Sequence, residues 1–291
     1  MPAKKIFSVE SPKVSIIIPS LDGNRDGNVE KLIGQIKNQS FKSIEIILSI
    51  NEKPNGHARN IGSELISEDS QVVCFFDDDV NLGSNKIIEY FLKVLEIKEI
   101  GLVGASQIPP KESSLFQKWI SYDLNKASIG IKNKITDSEM VTHAGLACRV
   151  KVWKEMNGED SNLLTGTDTD LRHRLREKGY RVVLVPNTFV YHPLPHNIMM
   201  IFRNAKFHGV YQYDYRKKHG FQKNFYSPFI KIKNNKILIL VILRELLIFF
   251  PHIFISKRSF FIGFRPINAI FRFIMVFNYA VTCQEKLNSN D

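Results

Sequence analysis

The nine residues Val72-Val73-Cys74-Phe75-Phe76-Asp77-Asp78-Asp79-Val80 join a short apolar run to three consecutive aspartates. The five apolar residues, rich in Val and Phe and too few for a helix, predict a buried strand of a parallel sheet. The aspartates would then lie at the carboxyl end of that strand, where open α/β sheets bind their ligands. Carboxylates held this close repel one another unless a proton or a cation intervenes, and oxygen ligands suit Mg²⁺ or Mn²⁺.

The same aspartates also allow a purely structural interpretation. Aspartate often ends a strand and caps the next helix, and the apolar spacing over residues 87–95 predicts such a helix. Three acids in a row are nevertheless more than a helix cap requires. The rest of the chain has to decide between a cap and a metal site.

Strands and helices alternate over the first hundred residues. Four apolar runs have the length and composition of buried strands: residues 14–19, 44–50, 72–76 and 100–105. The segments between them carry apolar residues at helical spacing. This alternation predicts an α/β fold with a doubly wound, mostly parallel sheet and helices on both faces. The sequence has no G-x-G-x-x-G after its first strand and no G-x-x-x-x-G-K-[ST], so it lacks the usual glycine-rich phosphate loops.

Positive charge is concentrated in the last third of the 291 residues. Residues 1–195 carry 25 Lys and Arg against 25 Asp and Glu, whereas residues 196–291 carry 15 against 4 and account for the net charge of +11. The same region is rich in Ile, Leu and Phe. This combination favours an anionic membrane surface over nucleic acid as a partner, because apolar runs of this length have no role in binding nucleic acid.

Two apolar segments of this region are candidates for membrane contact. Residues 237–255 contain 15 apolar side chains among 19, but Arg244 and Glu245 interrupt them. The second segment is residues 260–280, and Pro266 is expected to divide it into two pieces. Arginines recur at seven-residue steps in and just before this segment and would line one helix face: Arg258, Arg265 and Arg272. These patterns favour helices that lie in the membrane plane, or re-enter it, over two crossings.

Cysteine usage and the N-terminus indicate the compartment. Cys74, Cys148 and Cys283 are widely spaced and form neither a zinc pattern nor an obvious disulfide framework, which fits a reducing cytoplasm. The run of five or six apolar residues before Pro19 is too short for a signal peptide. We therefore expect the protein at the cytoplasmic face of the cell membrane.

Four motifs resemble, in order and spacing, family 2 glycosyltransferases with the GT-A fold. They are Val14-Ser15-Ile16-Ile17-Ile18-Pro19-Ser20, Gln39-Ser40-Phe41 with Ile44-Glu45-Ile46-Ile47, Ala58-Arg59-Asn60-Ile61-Gly62, and Phe75-Phe76-Asp77-Asp78-Asp79. The later segment Gly166-Thr167-Asp168-Thr169-Asp170-Leu171 is similar to the family's segment that carries its catalytic aspartate. The resemblance covers roughly residues 12–195 and implies a GT-A domain over residues 1–195, followed by a helical membrane-associating region over residues 196–291.

The resemblance implies an inverting, hexosyltransferase-type reaction that uses a nucleotide-diphospho sugar and a divalent metal, Mg²⁺ or Mn²⁺. By position, Asp77 and Asp79 match the metal motif, and His192 matches a position that can complete the metal site. Asp168 matches the catalytic base, and His143 lies in a stretch that faces the sugar. The residues implied at the donor are Pro19, Ser20, Asn51, Arg59 and Asp78.

Two positions depart from the family pattern. Asn51 stands where many members carry an aspartate that contacts the nucleobase or ribose, and Thr167 stands where the family carries a glutamate. Residues 167–170 also resemble a variant capping box that opens a helix over residues 168–178. This structural interpretation of Asp168 is compatible with catalysis, since a helix N-terminus keeps a nearby carboxylate ionised.

The basic, apolar tail predicts an acceptor at the membrane, naturally a lipid-linked glycan. Two other functions stay open at the level of sequence. The altered Asn51 and Thr167 allow a catalytically inactive scaffold that binds membrane or a partner enzyme. An aspartate-nucleophile phosphatase using Asp77 and Asp79 is disfavoured, because that superfamily carries Thr or Val where this chain has Asn81.

Overall fold

The computed structural model describes residues 2–124, 130–223, 227–254 and 265–289. Its chain divides into two compact units. The first comprises Met1–Glu112 with Ala127–Pro193, and the second comprises Ser113–Lys126 with Leu194–Asp291. The first unit contains the sheet and the second consists of helices and their connections.

A nine-stranded sheet runs through the described part of the first unit. In chain order its strands are β1 (Ala3–Ser8), β2 (Val14–Ser20), β3 (Ile44–Ile50), β4 (Val72–Phe75), β5 (Asn81–Leu82), β6 (Ile100–Ile108), β7 (Thr136–Asp137), β8 (Leu146–Arg149) and β9 (Arg181–Tyr191). Their order across the sheet is β1-β3-β2-β4-β8-β6-β9-β5, and β7 pairs with β9.

The strand directions show a mixed sheet that contains the predicted parallel strands. Pairing places β2, β3, β4, β6 and β9 in one direction, while β1, β5, β7 and β8 run the opposite way. Among the latter, β8 interrupts the parallel order, because it lies antiparallel between β4 and β6. The sheet is therefore mixed, although its longest strands are parallel.

Helices cover both faces of the sheet, as the sequence predicts. The helices of the described residues, in both units, are α1 (Asn28–Lys37), α2 (Asn55–Ser63), α3 (Ile87–Leu95), α4 (Leu115–Asp123), α5 (Val150–Glu155), α6 (Thr167–Glu177), α7 (Ile198–His219), α8 (Asn235–Phe254) and α9 (Pro266–Asn288). Alternate residues of β2 point to opposite faces. Ile16 therefore joins the core that contains Leu32 of α1, and Ile17 joins the core that contains Leu171 of α6.

The second unit corrects the predicted arginine face. Helix α9 begins at Pro266, the position at which the sequence predicts a division of the segment. Arg265 is buried just before the helix, and Arg272 contacts Glu245 of α8 with Nε 3.1 Å from Oε2. The two arginines are therefore not an exposed basic stripe: Arg265 is buried, and Arg272 pairs with the buried Glu245 carboxylate, which requires a charged partner. Residues 255–264, including Arg258, lie outside the described residues.

Helix α9 is long and apolar enough to cross a membrane by length and composition. About a third of its most apolar window is buried within the protein (33%). The core helix of a soluble protein satisfies the same criteria. Length and composition are therefore compatible with a helix packed in the protein, a helix in the membrane plane and a helix that crosses the membrane.

Candidate active site

The carboxyl ends of three parallel strands form a cavity of about 290 Å³. Ser20 at the end of β2 pairs in register with Ile50 at the end of β3, and Phe75 at the end of β4 pairs with Ile17. The loops that follow these strands therefore meet at one edge of the sheet. Among the described residues, the lining consists of Pro19, Ser20, Leu21, Arg25, Glu52, Lys53, Asn55, Asp77, Asp78 and Asp79.

Asp78 is held within the cavity by neutral and charged partners. Ser20 Oγ donates a 2.7 Å hydrogen bond to its Oδ2, and Arg25 Nε lies 3.7 Å from its Oδ1. Burial raises the pKa of the Asp78 carboxyl, an effect that Ser20 and Arg25 oppose and the two neighbouring aspartates reinforce. The neighbouring Asp77 and Asp79 therefore make the charged form of Asp78 less favourable, and a bound cation would offset this effect.

Asp79 offers an oxygen that fits a metal ion. Its Oδ2 lies 3.4 Å from Arg25 Nη2, whereas its Oδ1 is buried and accepts no hydrogen bond from any described residue. His192, directly after β9, places Nε2 3.7 Å from that same Oδ1. A buried carboxylate oxygen without a partner is unfavourable, and carboxylate oxygens are the ligands that Mg²⁺ and Mn²⁺ prefer.

Asp77 belongs to a buried charge network. Arg59 Nη2 lies 2.7 Å from Asp77 Oδ1, and its Nη1 lies 3.2 Å from Glu159 Oε2. The other oxygen of Glu159 contacts Nε2 of His143. The network closes through the main chain, because Asp77 N donates a 3.0 Å hydrogen bond to the carbonyl oxygen of His143. The Arg59 side chain and the His143 carbonyl thus contact the first aspartate directly, and Glu159 links Arg59 to the His143 side chain.

Glu159 is the centre of this network. Its side chain is completely buried, and Asn60 holds its backbone through one accepted and one donated hydrogen bond of 2.9 and 2.8 Å. Burial alone would raise the pKa of the Glu159 carboxyl, but His143 and Arg59 outweigh burial and lower it to about 2. The carboxylate is therefore ionised at neutral pH and balances the Arg59 guanidinium.

Asp168 lies in the first turn of α6. Its Oδ1 accepts a 2.7 Å hydrogen bond from the backbone N–H of Thr169, and its Oδ2 lies 3.1 Å from Arg172 Nη1. Burial acts to raise the pKa of Asp168, but Arg172 and His143 lower it below its usual value. The side chain is ionised at neutral pH, which is the protonation state that a proton acceptor needs.

The predicted capping box is wrong. The N-cap of α6 is Gly166, whose left-handed backbone (φ 72°) starts the helix one residue earlier, and no side chain caps it. Thr167 is consequently a buried first-turn residue, next to the Glu159 carboxylate in space. The Glu159 carboxylate thus lies beside Thr167, which stands where the family pattern has a glutamate.

The structure brings most of the predicted site residues together and places three further residues beside them. Pro19, Ser20 and the three aspartates line one cavity, and Arg59 and His192 contact the aspartates. Asn51 is exposed in a left-handed conformation, with its N–H bonded to the Ser20 carbonyl, and its role at the donor stays a prediction. The residues that the sequence did not single out are Arg25, Glu52 and Glu159.

A family model described as "Glycosyltransferase like family 2" matches residues 4–211, more than two thirds of the chain. The chain belongs to this family. The match confirms the resemblance drawn from the four motifs and the enzyme class, glycosyltransferase, that it implies.

Two similar proteins extend the comparison. The chain is 32% identical over 74 residues to a GalNAc(5)-diNAcBac-PP-undecaprenol beta-1,3-glucosyltransferase of Campylobacter jejuni, which covers 25% of this chain and 23% of that protein. The chain thus matches about a quarter of that relative's length. The mannosyltransferase PcManGT from Pyrobaculum calidifontis, solved with GDP-Man and Mn²⁺, has a TM-score of 0.57 at 13% identity, covering 98% of this chain and 89% of that chain. This similarity shows the fold, which is GT-A.

Proposed function

We propose that the protein is a metal-dependent, inverting glycosyltransferase that moves a sugar from a nucleotide-diphospho sugar to a membrane-associated acceptor, a lipid-linked glycan. The observation that carries the proposal is the buried Asp79 Oδ1, which accepts no hydrogen bond from any described residue and lies beside His192 in an acid-lined cavity. The GDP-Man and Mn²⁺ of the Pyrobaculum structure support the donor and the metal. The PP-undecaprenol in the name of the Campylobacter relative supports the acceptor and a role in cell-envelope polysaccharide synthesis.

On the donor side, Asp77, Asp79 and His192 would hold Mg²⁺ or Mn²⁺. The bound cation supplies positive charge where the leaving nucleoside diphosphate gathers negative charge. Arg25 now neutralises Asp78 and Asp79, and its guanidinium is free to turn to a diphosphate oxygen once these carboxylates face a cation.

On the acceptor side, Asp168 takes the proton of the attacking hydroxyl. The acceptor oxygen forms a bond to the anomeric carbon while the bond from that carbon to the diphosphate oxygen breaks, and the diphosphate leaves with the electron pair. A single displacement of this kind inverts the anomeric configuration. Arg172 and Thr169 hold the Asp168 carboxylate in one orientation for this step.

Asp79→Asn is expected to weaken nucleotide binding by more than about a hundredfold, beyond the ten- to hundredfold loss typical of groups that only support a metal ligand. The measurement is calorimetric binding of a panel of nucleoside diphosphates to the detergent-solubilised protein, with and without Mn²⁺. One nucleotide should bind in a metal-dependent way. The control is Asp69→Asn, which removes an exposed carboxylate 3.9 Å from Lys13 and should bind like the unaltered protein.

Other outcomes of this experiment would contradict the proposal. If no nucleotide binds under any condition, the inactive scaffold becomes the better account. If the protein hydrolyses a phosphate ester without any sugar nucleotide, the phosphatase becomes the better account. Metal-independent binding that survives Asp79→Asn would remove the metal from the proposal and leave the transferase.

We also propose that α8 attaches the second unit to the membrane. From residue 239 to residue 250 its exposed side chains are all apolar: Ile239, Leu240, Leu243, Leu246, Leu247 and Phe250. Arg244 and Glu245 do not interrupt this face, because Arg244 Nη2 lies 2.7 Å from the buried Glu245 Oε1. A continuous apolar face of this kind is typical of a helix lying in the interface.

The cytoplasmic face is the proposed side of the membrane. Cys74, Cys148 and Cys283 are free thiols, and all three are buried. Burial raises the pKa of the Cys74 thiol, which makes it an unreactive part of the core. Free cysteines without disulfides fit a reducing compartment.

The double variant Leu243→Glu/Leu247→Glu is expected to lower partitioning onto phospholipid vesicles by at least about a hundredfold, because each Leu contributes about 1.5–3 kcal/mol when fully buried in an apolar phase. Vesicle flotation measures the partitioning. The matched control is Met199→Glu/Phe207→Glu, which places the same charges at two exposed apolar residues of α7. Equal losses in the two variants would show that α8 is not the attachment face.

A further inference from the structure

A second cavity, of about 210 Å³, lies within the second unit and is unrelated to the sugar-transfer residues. Three separate parts of the chain contribute a lysine to it: helix α7, the segment before α8, and helix α9. These are Lys217, Lys231 and Lys286, and apolar or aromatic side chains form the rest of the wall, among them Tyr213, Phe221 and Leu287. The cavity therefore combines concentrated positive charge with an apolar surface.

The charge of this cavity favours an anion. Its lining, among the described residues, includes three lysines and no Asp or Glu. Asp214 is nearby: burial raises the pKa of its carboxyl, and Lys286 and Lys217 act to lower it. The lysines of the lining outnumber the acidic residues of the lining, so an anion that entered would be attracted to them. Lysine is a common binder of phosphate, which it contacts as a point charge.

The apolar part of the wall favours a phosphate that carries an apolar body. Lys231 Nζ lies 5.6 Å from the centre of the Phe221 ring, so charge and apolar surface are adjacent. Lys231 also precedes α8 by four residues, and Lys233 and Lys236 continue the basic segment to the start of the apolar face of α8. Basic residues beside an apolar helix face are the arrangement that anionic membranes attract.

We propose that the cavity formed by Lys217, Lys231 and Lys286 binds the phosphate group of an anionic membrane phospholipid. The headgroup phosphate lies among the three lysines, and the glycerol and the start of the acyl chains lie against Phe221 and Leu287. The apolar face of α8 enters the same leaflet. This inference rests on the membrane attachment proposed above and adds to it a specific lipid contact.

The test is flotation of the full chain with vesicles of phosphatidylcholine and phosphatidylglycerol. The triple variant Lys217→Gln/Lys231→Gln/Lys286→Gln should lower binding by about a hundredfold, given the contribution of each lysine near an anionic surface. The matched control, Arg203→Gln/Lys206→Gln/Lys218→Gln, removes three exposed positive charges from α7 of the same unit and should change binding by less than about fivefold.

Two further arms identify the ligand. In phosphatidylcholine vesicles given the same surface charge by oleate, the anionic lipid carries a carboxylate instead of a phosphate, and these vesicles should bind the unaltered protein more weakly than phosphatidylglycerol vesicles. Inorganic phosphate, titrated calorimetrically into protein in detergent, should bind weakly if at all. Equal losses in the two triple variants, equal binding to oleate vesicles, or tight binding of inorganic phosphate without vesicle binding would each overturn the lipid site.

Nucleotide binding in detergent separates this inference from the proposed function. The pocket variant should bind the nucleoside diphosphate like the unaltered protein, because its substitutions lie outside the first unit. If it keeps nucleotide binding and vesicle binding alike, the lipid site is wrong and the transferase stands. If the Leu243→Glu/Leu247→Glu variant alone detaches, α8 holds the membrane without a bound headgroup.

Discussion

Asp168→Asn is expected to lower kcat by about a thousandfold while leaving the dissociation constant of the nucleotide donor unchanged. A positioned general base contributes roughly a hundred- to ten-thousandfold to a rate, and an amide cannot accept the proton. Asparagine keeps the size of the side chain and one oxygen for the Thr169 N–H, so the first turn of α6 should stay intact. Steady-state turnover and calorimetry on the same preparation measure the two quantities.

The control for this variant is Glu177→Gln. Glu177 lies in the last turn of α6, 3.3 Å from His173, and loses the same charge without touching Asp168. Turnover of the control should match the unaltered protein. Turnover of Asp168→Asn within tenfold of the unaltered protein would assign the base to another residue, and a parallel loss of donor binding would assign Asp168 to the donor site.

The central strands and the acid edge were predictable because their signals are local. Residues 14–19 and 44–50 are apolar runs of strand length, and they match β2 (Val14–Ser20) and β3 (Ile44–Ile50) within a residue. Neighbouring parallel strands end at the same edge of the sheet, so the contact between Ser20 and Asp78 follows from the predicted strand order. The structure adds the distances.

The antiparallel strand β8 and the buried Glu159 were not predictable, because their partners are distant in sequence. Leu146–Arg149 is only four residues long and pairs with β4, more than seventy residues earlier. Glu159 contacts Arg59 across a separation of 100 residues, and an acid after a glycine turn normally indicates an exposed loop. Hydrophobic periodicity does not indicate contacts between residues so far apart in sequence, because such contacts depend on tertiary packing.

Glu159→Ala is expected to destabilise the first unit by about 3–5 kcal/mol, the usual effect of removing one partner from a buried ion pair. Arg59 is 3% exposed, and without Glu159 its guanidinium loses one of the two carboxylates that it contacts within 4 Å among the described residues, the other being that of Asp77. Urea unfolding measures the change. Glu155→Ala, which removes an exposed glutamate that accepts a hydrogen bond from the Tyr180 hydroxyl, should stay within about 0.5–1 kcal/mol of the unaltered protein.

The pH dependence of this difference distinguishes loss of charge from loss of packing. In the folded protein the pKa of Glu159 is lowered to about 2 from an ordinary 4.5, so its ionisation stabilises the fold fully above pH 4.5 and this contribution is lost as the pH falls towards 2. The stability difference between the unaltered protein and Glu159→Ala should therefore shrink over this range. A difference that stays constant from neutral pH to about pH 3 would mean that the cavity left by the side chain, rather than the lost charge, destabilises the variant. In that case Glu159 would be a packing residue, and the fixed position of Asp77 would depend on Arg59 and the His143 carbonyl alone.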